Sequence, residues 1–220
     1  MVFVVKYSLE KDIWNHLNSN WRFRFRKYGR KNIQKKLLQT YPEEYRRNLA
    51  QAKTEKEATV VIKSFLASLP KSFQNTTPII GKGVEKVLNE EKKQIISSLE
   101  KLYGKPFPFK EITVYLTTGT IHPYNYKERW FMTGRNSSLD KHIKTAKHEL
   151  NHFMFYYYYP HLRKKLGVEK YERLKEALAI FTNPEGNDKP DVKKLEKYLK
   201  TLSGQPMDEI IEKALGSKYL

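Results

Sequence analysis

Residues 147–153 read Lys-His-Glu-Leu-Asn-His-Phe, and this segment decides how the rest of the chain is interpreted. In an α-helix, residues four apart lie on one face, roughly 6 Å from each other. His148 and His152 can therefore direct their imidazoles at one metal ion. Glu149 lies about 100° round the helix from His148, where it can hold a water molecule next to the metal. The spacing indicates a metal site on a helix.

The helix around this segment has clear predicted ends. Ser137 as N-cap, with Asp140 three residues later, predicts a capping box at its start. Pro160 predicts its end, because proline cannot continue a helix. A helix over residues 139–159 would place both histidines in its middle, where the spacing of four residues is reliable. Upstream, residues 111–118 alternate apolar and polar side chains and predict a strand, and residues 126–133 predict a second one.

A third metal ligand is expected on the next helix, which we predict over residues 168–182 after Gly167. Glu176 lies 24 residues past His152, where an apolar run begins. A carboxylate beside so much apolar surface is costly unless it is paired or bound to a metal. Glu172, one turn earlier, is the alternative ligand.

These two segments resemble the gluzincin branch of the zinc metallopeptidases with the His-Glu-x-x-His motif, which includes thermolysin-like enzymes and aminopeptidases. The resemblance covers roughly residues 111–182, and its compact length is similar to the single-domain minigluzincins. It implies that His148, His152 and Glu176 bind Zn²⁺. It also implies that Glu149 is the general base that deprotonates a zinc-activated water for peptide hydrolysis.

The resemblance further implies a zincin-like fold, in which a peptide substrate lies along a strand beside the active-site helix, here residues 126–133. Metzincins are excluded, since their longer motif needs glycine and histidine where this chain has Phe155 and Tyr158. The chain also departs from thermolysin-like enzymes, because Ile180 stands where they have an aspartate that orients a zinc ligand. Such support would have to come from Asn183, Glu185 or a backbone carbonyl.

The residue that stabilises the oxyanion in this branch is not identified by the sequence. Tyr171, His122, His161 and the tyrosines of 156–159 all remain open. The sequence therefore predicts Glu149 as the general base but does not identify the residue that stabilises the negative charge of the oxyanion.

The net charge of +18 favours an acidic or nucleic-acid partner. Residues 20–53 contain 11 Lys and Arg against 2 Glu, and residues 21–26 alternate aromatic side chains with arginine. This alternation predicts a strand with three aromatic rings on one face and three arginines on the other, or the start of a helix with a solvated basic face. An alternative function is therefore nucleic-acid binding through residues 21–53, and another is a catalytically inactive zinc-site protein.

Composition limits the remaining possibilities. The 220 residues are 39% hydrophobic and contain no cysteine, so disulfides and thiolate metal ligands are excluded. No apolar run reaches 18 residues, and we expect a cytoplasmic protein with a peptide or protein substrate and no membrane partner. We predict a mostly helical α+β fold with a small mixed or antiparallel sheet. A mainly helical part, 1–105, either stands alone or is continuous with a catalytic part, 106–220, and residues 70–83 are predicted to form a loop.

Overall fold

The computed structural model describes residues 1–25, 37–182 and 190–220, which form a mostly helical α+β fold with one small mixed sheet. The predicted fold class is confirmed. The described α-helices are α1 (Leu9–His16), α2 (Glu43–Gln51), α3 (Glu55–Ala67), α4 (Lys71–Tyr103), α5 (Leu139–Tyr158), α6 (Leu162–Leu178), α7 (Pro190–Lys200) and α8 (Met207–Leu215).

The sheet has the strand order β1-β2-β4-β3. Strands β1 (Val2–Tyr7), β2 (Glu111–Thr117) and β4 (Trp130–Gly134) run parallel, and β3 (Tyr124–Asn125) is an antiparallel edge strand paired with β4. Apolar residues of the sheet pack with helices α4 and α5 into the main core. The strands contribute Phe3, Ile112, Val114, Leu116 and Phe131, and the two helices contribute, among others, Leu88, Leu150 and Phe153. The strand predicted over 111–118 is thereby confirmed.

The strand predicted over 126–133 is wrong at its start. Residues 126–129 form a turn in which Arg129 has a φ of 59°, and β4 begins only at Trp130. The cause is Asn125, whose side-chain oxygen accepts hydrogen bonds from the backbone nitrogens of Lys127 (3.0 Å) and Glu128 (3.2 Å). An asparagine that binds its own backbone two residues on favours a turn over an extended chain.

The loop predicted over 70–83 is wrong, because helix α4 runs through it without a break and contains Pro78. Proline removes one backbone donor from the helix and disturbs the preceding turn. Here the carbonyl of Phe73 accepts hydrogen bonds from the Thr77 hydroxyl (2.6 Å) and from the Arg135 guanidinium (3.1 Å). These side chains supply hydrogen bonds in the turn that the proline disturbs.

The strand predicted over 21–26 is also wrong for the residues that the structure describes. Trp21 ends a π-helical turn that continues α1, and Arg22–Phe25 form a 3₁₀ turn. The Trp21 indole donates to the carbonyl of Ala52 (3.1 Å), and Arg22 is ion-paired with Glu55. The helical alternative fits these residues. Residues 26–36 of the basic segment lie outside the described part of the chain.

The helices of the first third build a second hydrophobic cluster, separate from the main core. Its members come from α1 to α3 and the turns beside them: Leu17, Trp21, Tyr41, Tyr45, Leu49, Ala52, Ala58, Ile62 and Leu66. The start of the chain nevertheless belongs to the same sheet as the later strands, because β1 pairs with β2 over the full length of β1. Among the described residues, no helix combines the length and the apolar character needed to cross a membrane.

Candidate metal centre

Helix α5 carries the histidine pair and is anchored at its start by a serine. The N-cap is Ser138, which accepts a hydrogen bond from the backbone nitrogen of Lys141 (3.2 Å), so the predicted cap at Ser137 is wrong by one residue. Ser137 instead closes a turn by donating its backbone nitrogen to Gly134 (2.9 Å). The helix otherwise spans the predicted residues, and its middle is buried.

Helix α6 delivers the carboxylate. Gly167, after which the helix was predicted to begin, has a φ of 73°, a conformation that favours glycine, and lies at a kink within α6. The α-helix ends at Leu178, before the predicted residue 182, and a 3₁₀ turn follows over Ala179–Phe181. The second half of α6 then lies against α5, and one potential ligand atom each from His148, His152 and Glu176 lie within 4.8 Å of one another. The structure therefore brings together the three residues that the sequence indicated.

Glu172, the alternative ligand, lies outside this group. Both of its carboxylate oxygens accept hydrogen bonds from the Tyr156 hydroxyl, at 3.0 and 2.8 Å. The Glu172 carboxylate, one turn before Glu176, therefore binds Tyr156 and does not join the two histidines.

The donor set fits a divalent cation such as zinc. Two histidines and one carboxylate match the nitrogen and oxygen ligands of catalytic zinc sites. Nδ1 of His152 and Oε2 of Glu149 are buried without a hydrogen-bond partner among the described residues, which is unusual unless an ion or water completes the site. Burial, followed by the charges of Lys175 and His148, lowers the pKa of His152 well below its usual value. The ring is therefore neutral at pH 7, the form that binds metals.

Glu149 lies beside this group and is only 6% exposed. Burial raises its pKa to about 8; the charge of Glu176 adds to this rise and that of Lys175 opposes it. A carboxylate with a pKa near neutrality can both accept and return a proton.

Lys175 is an unexpected buried cation, only 2% exposed, next to the three metal-binding candidates. Its Nζ lies 3.0 Å from Oε1 of Glu176 and 3.2 Å from Oε2 of Glu172, and it donates to the Tyr124 hydroxyl. Burial alone would lower the pKa of Lys175, but Glu176, Tyr156 and Glu172 together raise it above its usual value, so the ammonium stays charged.

Tyr124 places a hydroxyl next to the site from the edge strand β3. Its ring centroid lies 5.4 Å from that of His152, and its hydroxyl lies 3.0 Å from the hydroxyl of Tyr156. Burial raises the pKa of Tyr124 above its usual value, and so do the nearby charges of Glu149 and Glu176. The phenol is therefore protonated and can donate a hydrogen bond.

We identified neither Tyr124 nor Lys175 from the sequence. Tyr124 lies in a strand of only two residues, which leaves no alternation of side chains that could reveal it. A lysine beside a glutamate on a helix usually indicates a solvated face. The usable signal was that Lys175 stands next to Glu176, two residues before the apolar run that begins at Ala177.

Most other residues considered for the oxyanion lie elsewhere. Tyr171 packs against Phe155, the Tyr158 hydroxyl donates to the carbonyl of Pro106, and the Tyr159 hydroxyl donates to Asp208. Tyr157 and His161 are exposed, and His122 lies beside Gly134 at the end of β4. Tyr156 contacts Tyr124 and Glu172 through its hydroxyl, and the ammonium of Lys175 lies 5.6 Å from the centroid of its ring. Ile180 is buried, and the proposed supports Asn183 and Glu185 lie outside the described residues.

Comparison with known proteins adds no assignment: no family model, curated protein or solved structure matches this chain. The resemblance to gluzincins therefore rests on the motif itself and on the Glu176 helix.

Proposed function

We propose that this chain is a zinc-dependent metallopeptidase in which His148, His152 and Glu176 bind Zn²⁺ and Glu149 is the general base. The convergence of one ligand atom from each of the three residues within 4.8 Å, beside a buried glutamate, carries the proposal. In catalytic zinc sites three protein ligands leave a further position open for water or substrate.

The local charges support a dication at this position. The carboxylates of Glu172 and Glu176 lie 3.2 and 3.0 Å from the ammonium of Lys175, and the charge of Glu176 helps to raise the pKa of the buried Glu149 to about 8. One negative charge is therefore in excess while Glu149 is protonated, and a second appears when Glu149 ionises. Excess charge of this kind is costly unless it is compensated, and a divalent cation compensates it.

The side chains can then divide the work of peptide hydrolysis. When bound, zinc supplies Lewis-acid chemistry, polarising a carbonyl group and making water more acidic. Glu149 accepts a proton from the attacking water and donates it to the leaving amine. Tyr124 donates a hydrogen bond to the carbonyl oxygen as that oxygen gains charge. Lys175 donates a hydrogen bond to the Tyr124 oxygen and thereby polarises the phenol. Its ion pair with Glu176 holds that carboxylate in place.

Metal analysis of protein purified without chelators tests the proposal. We expect about one zinc per chain, lost in His148→Ala, and hydrolysis of a fluorogenic peptide library by the wild-type protein. Glu149→Gln should keep its zinc and lose at least about a hundredfold in hydrolysis, as expected when a general base is removed. Glu169→Gln, an exposed carboxylate on the same helix as Glu176, is the matched control and should change neither.

Two results would contradict the proposal. A protein that neither retains zinc nor binds it when added has no such site. Zinc-loaded wild type and Glu149→Gln that hydrolyse peptides equally would exclude Glu149 as the base and leave a metal site without this chemistry.

A further inference from the structure

A large groove lies away from the metal centre, between helices α3 and α4 and the end of strand β1. Its volume is about 920 Å³, at the upper end of the range typical of small-molecule sites. Its walls are mainly apolar and include Val5, Leu66, Phe73, Pro78 and Leu116. None of the proposed zinc ligands lines it, so the groove is a separate feature.

The groove exists because small residues stand where the two helices face the sheet. Gly81 on α4 lines it, and a Cβ added to Gly81 would meet only Leu116 Cδ1, at 3.9 Å, which is an ordinary contact distance. Ala67 at the end of α3 also lines the groove. The space is therefore open because these side chains are small, and a larger side chain at Gly81 can begin to occupy it with an ordinary contact to Leu116.

The charged residues round the groove are unbalanced towards positive. Lys63 on α3 and Lys82 on α4 line it and are exposed. Glu85 is the acidic residue among the described lining residues, and its Oε2 accepts a hydrogen bond from the backbone nitrogen of Val5 (2.7 Å). The carboxylate is thus already committed to the edge of the sheet.

A buried arginine contacts two of the lining residues without lining the groove itself. The Arg135 guanidinium is only 7% exposed and lies 4.0 Å from the ring centroid of Phe73, one of the groove residues. Its hydrogen bonds go to neutral groups, among them the Thr77 hydroxyl (2.8 Å) and the Phe73 carbonyl (3.1 Å). No carboxylate of the described chain lies within ion-pair distance of it.

We propose that this groove binds an amphipathic anion, a medium-chain fatty carboxylate, with its alkyl chain along Val5 and Leu116 and its carboxylate at Lys63 and Lys82. Apolar walls with a few convergent polar groups are the usual composition of a ligand site. The positive rim and the buried guanidinium favour an anionic head group over a neutral or cationic one.

Calorimetric titration of the full chain with decanoate tests this site. Decanoate should bind saturably at one site, and decanol and decyltrimethylammonium should bind more weakly. Gly81→Leu places a side chain beside Leu116, where the alkyl chain is proposed to lie, and should weaken decanoate binding at least tenfold. Gly83→Leu is the matched control on the same helix, since a Cβ there contacts nothing within 4 Å and Gly83 does not line the groove. Leucine is favoured over glycine in helices, so both variants should fold.

The double variant Lys63→Gln with Lys82→Gln separates the two parts of the proposal. It should weaken decanoate about fivefold, as expected for partly solvated charges, and leave decanol unchanged. Equal binding of decanoate and decanol to the wild type would overturn the anionic preference. Equal decanoate binding by Gly81→Leu and Gly83→Leu, or no saturable binding below the concentration at which decanoate forms micelles, would overturn the site.

Discussion

The Tyr103 hydroxyl donates a hydrogen bond of 2.8 Å to Oδ1 of Asn151, which joins the end of α4 to the centre of the histidine motif. The same asparagine donates from Nδ2 to the carbonyl of Leu178 (3.3 Å) and the hydroxyl of Thr182 (3.2 Å). Those acceptors lie just after Glu176. One fully buried amide therefore connects the helix of the two histidines to the end of the helix that carries the third proposed ligand.

Replacing Asn151 with leucine, a side chain of similar size, should loosen this connection. We expect a loss of about 1–3 kcal/mol in the free energy of unfolding, because the Tyr103 hydroxyl keeps only its longer bond to the Asn151 carbonyl (3.2 Å) and the carbonyl of Leu178 loses a buried donor. Zinc affinity should fall about 10–100-fold, as it does when residues that support metal ligands are removed. Urea unfolding and chelator competition measure the two effects. Asn75→Leu, at an exposed position of α4, is the control; unchanged zinc affinity in Asn151→Leu would show that the amide does not position the site.

Substitution of the two neighbouring glutamates of α6 distinguishes the rival ligands. Glu176→Gln should lose at least about tenfold in zinc affinity, because a neutral amide is a poorer ligand than a carboxylate. Glu172→Gln should retain stoichiometric zinc, since its carboxylate is bound to Tyr156 and lies outside the converging group. Equilibrium dialysis with zinc measures the zinc affinity of each variant and so identifies the ligand. The reverse order of affinities would make Glu172 the ligand.

Removal of one hydroxyl tests the proposed role of Tyr124. Tyr124→Phe should lower kcat for peptide hydrolysis about 10²–10³-fold, the usual cost of losing an oxyanion donor, with zinc content unchanged and KM little affected. Tyr126→Phe is a matched control, because its ring stacks on Tyr156 at 4.8 Å in the same cluster. A kcat for Tyr124→Phe equal to that of Tyr126→Phe would assign the oxyanion to another group.

Much of the fold followed from local patterns in the sequence. The alternation over 111–118 and the punctuation of the motif helix by a serine and Pro160 depend only on neighbours in the chain, and both elements are present. We predicted a loop over residues 70–83, where α4 begins, because local rules treat proline and glycine as helix breakers. Arg135 donates a hydrogen bond to this stretch of α4 from 62 positions beyond its acceptor Phe73, and no local pattern can reveal that contact.

The candidate site divides in the same way. Residue type and helical spacing indicated His148, His152 and Glu176. Lys175 and Tyr124 could not be found, because the burial of Lys175 depends on tertiary packing although its two carboxylate partners are local neighbours on α6. The rings that cover its ammonium, Tyr124 and Tyr156, come from the edge strand β3 and from α5.

A second buried histidine, remote from the metal centre, should control stability at acid pH. Both ring nitrogens of His16 are hydrogen-bonded, Nδ1 with the Tyr45 hydroxyl (2.9 Å) and Nε2 with the Thr118 hydroxyl (2.8 Å). Burial lowers the pKa of His16 from 6.5 to about 4, against the opposing charge of Asp12. The unfolded chain therefore binds a proton at higher pH than the folded chain does.

The sign of the pH dependence follows from this difference. The contribution of His16 to the free energy of unfolding is complete above the pKa of the unfolded state and is lost as the pH falls from 6.5 to about 4. The full loss is about 3 kcal/mol, with a slope that approaches about 1.4 kcal/mol per pH unit. His16→Gln should be less stable than the wild type near neutral pH, and its stability should decline less steeply towards acid. Urea unfolding across this range, with the exposed His161→Gln as control, measures the difference between the two slopes. Parallel pH profiles for wild type and His16→Gln would mean that the folded chain protonates His16 as readily as the unfolded chain does.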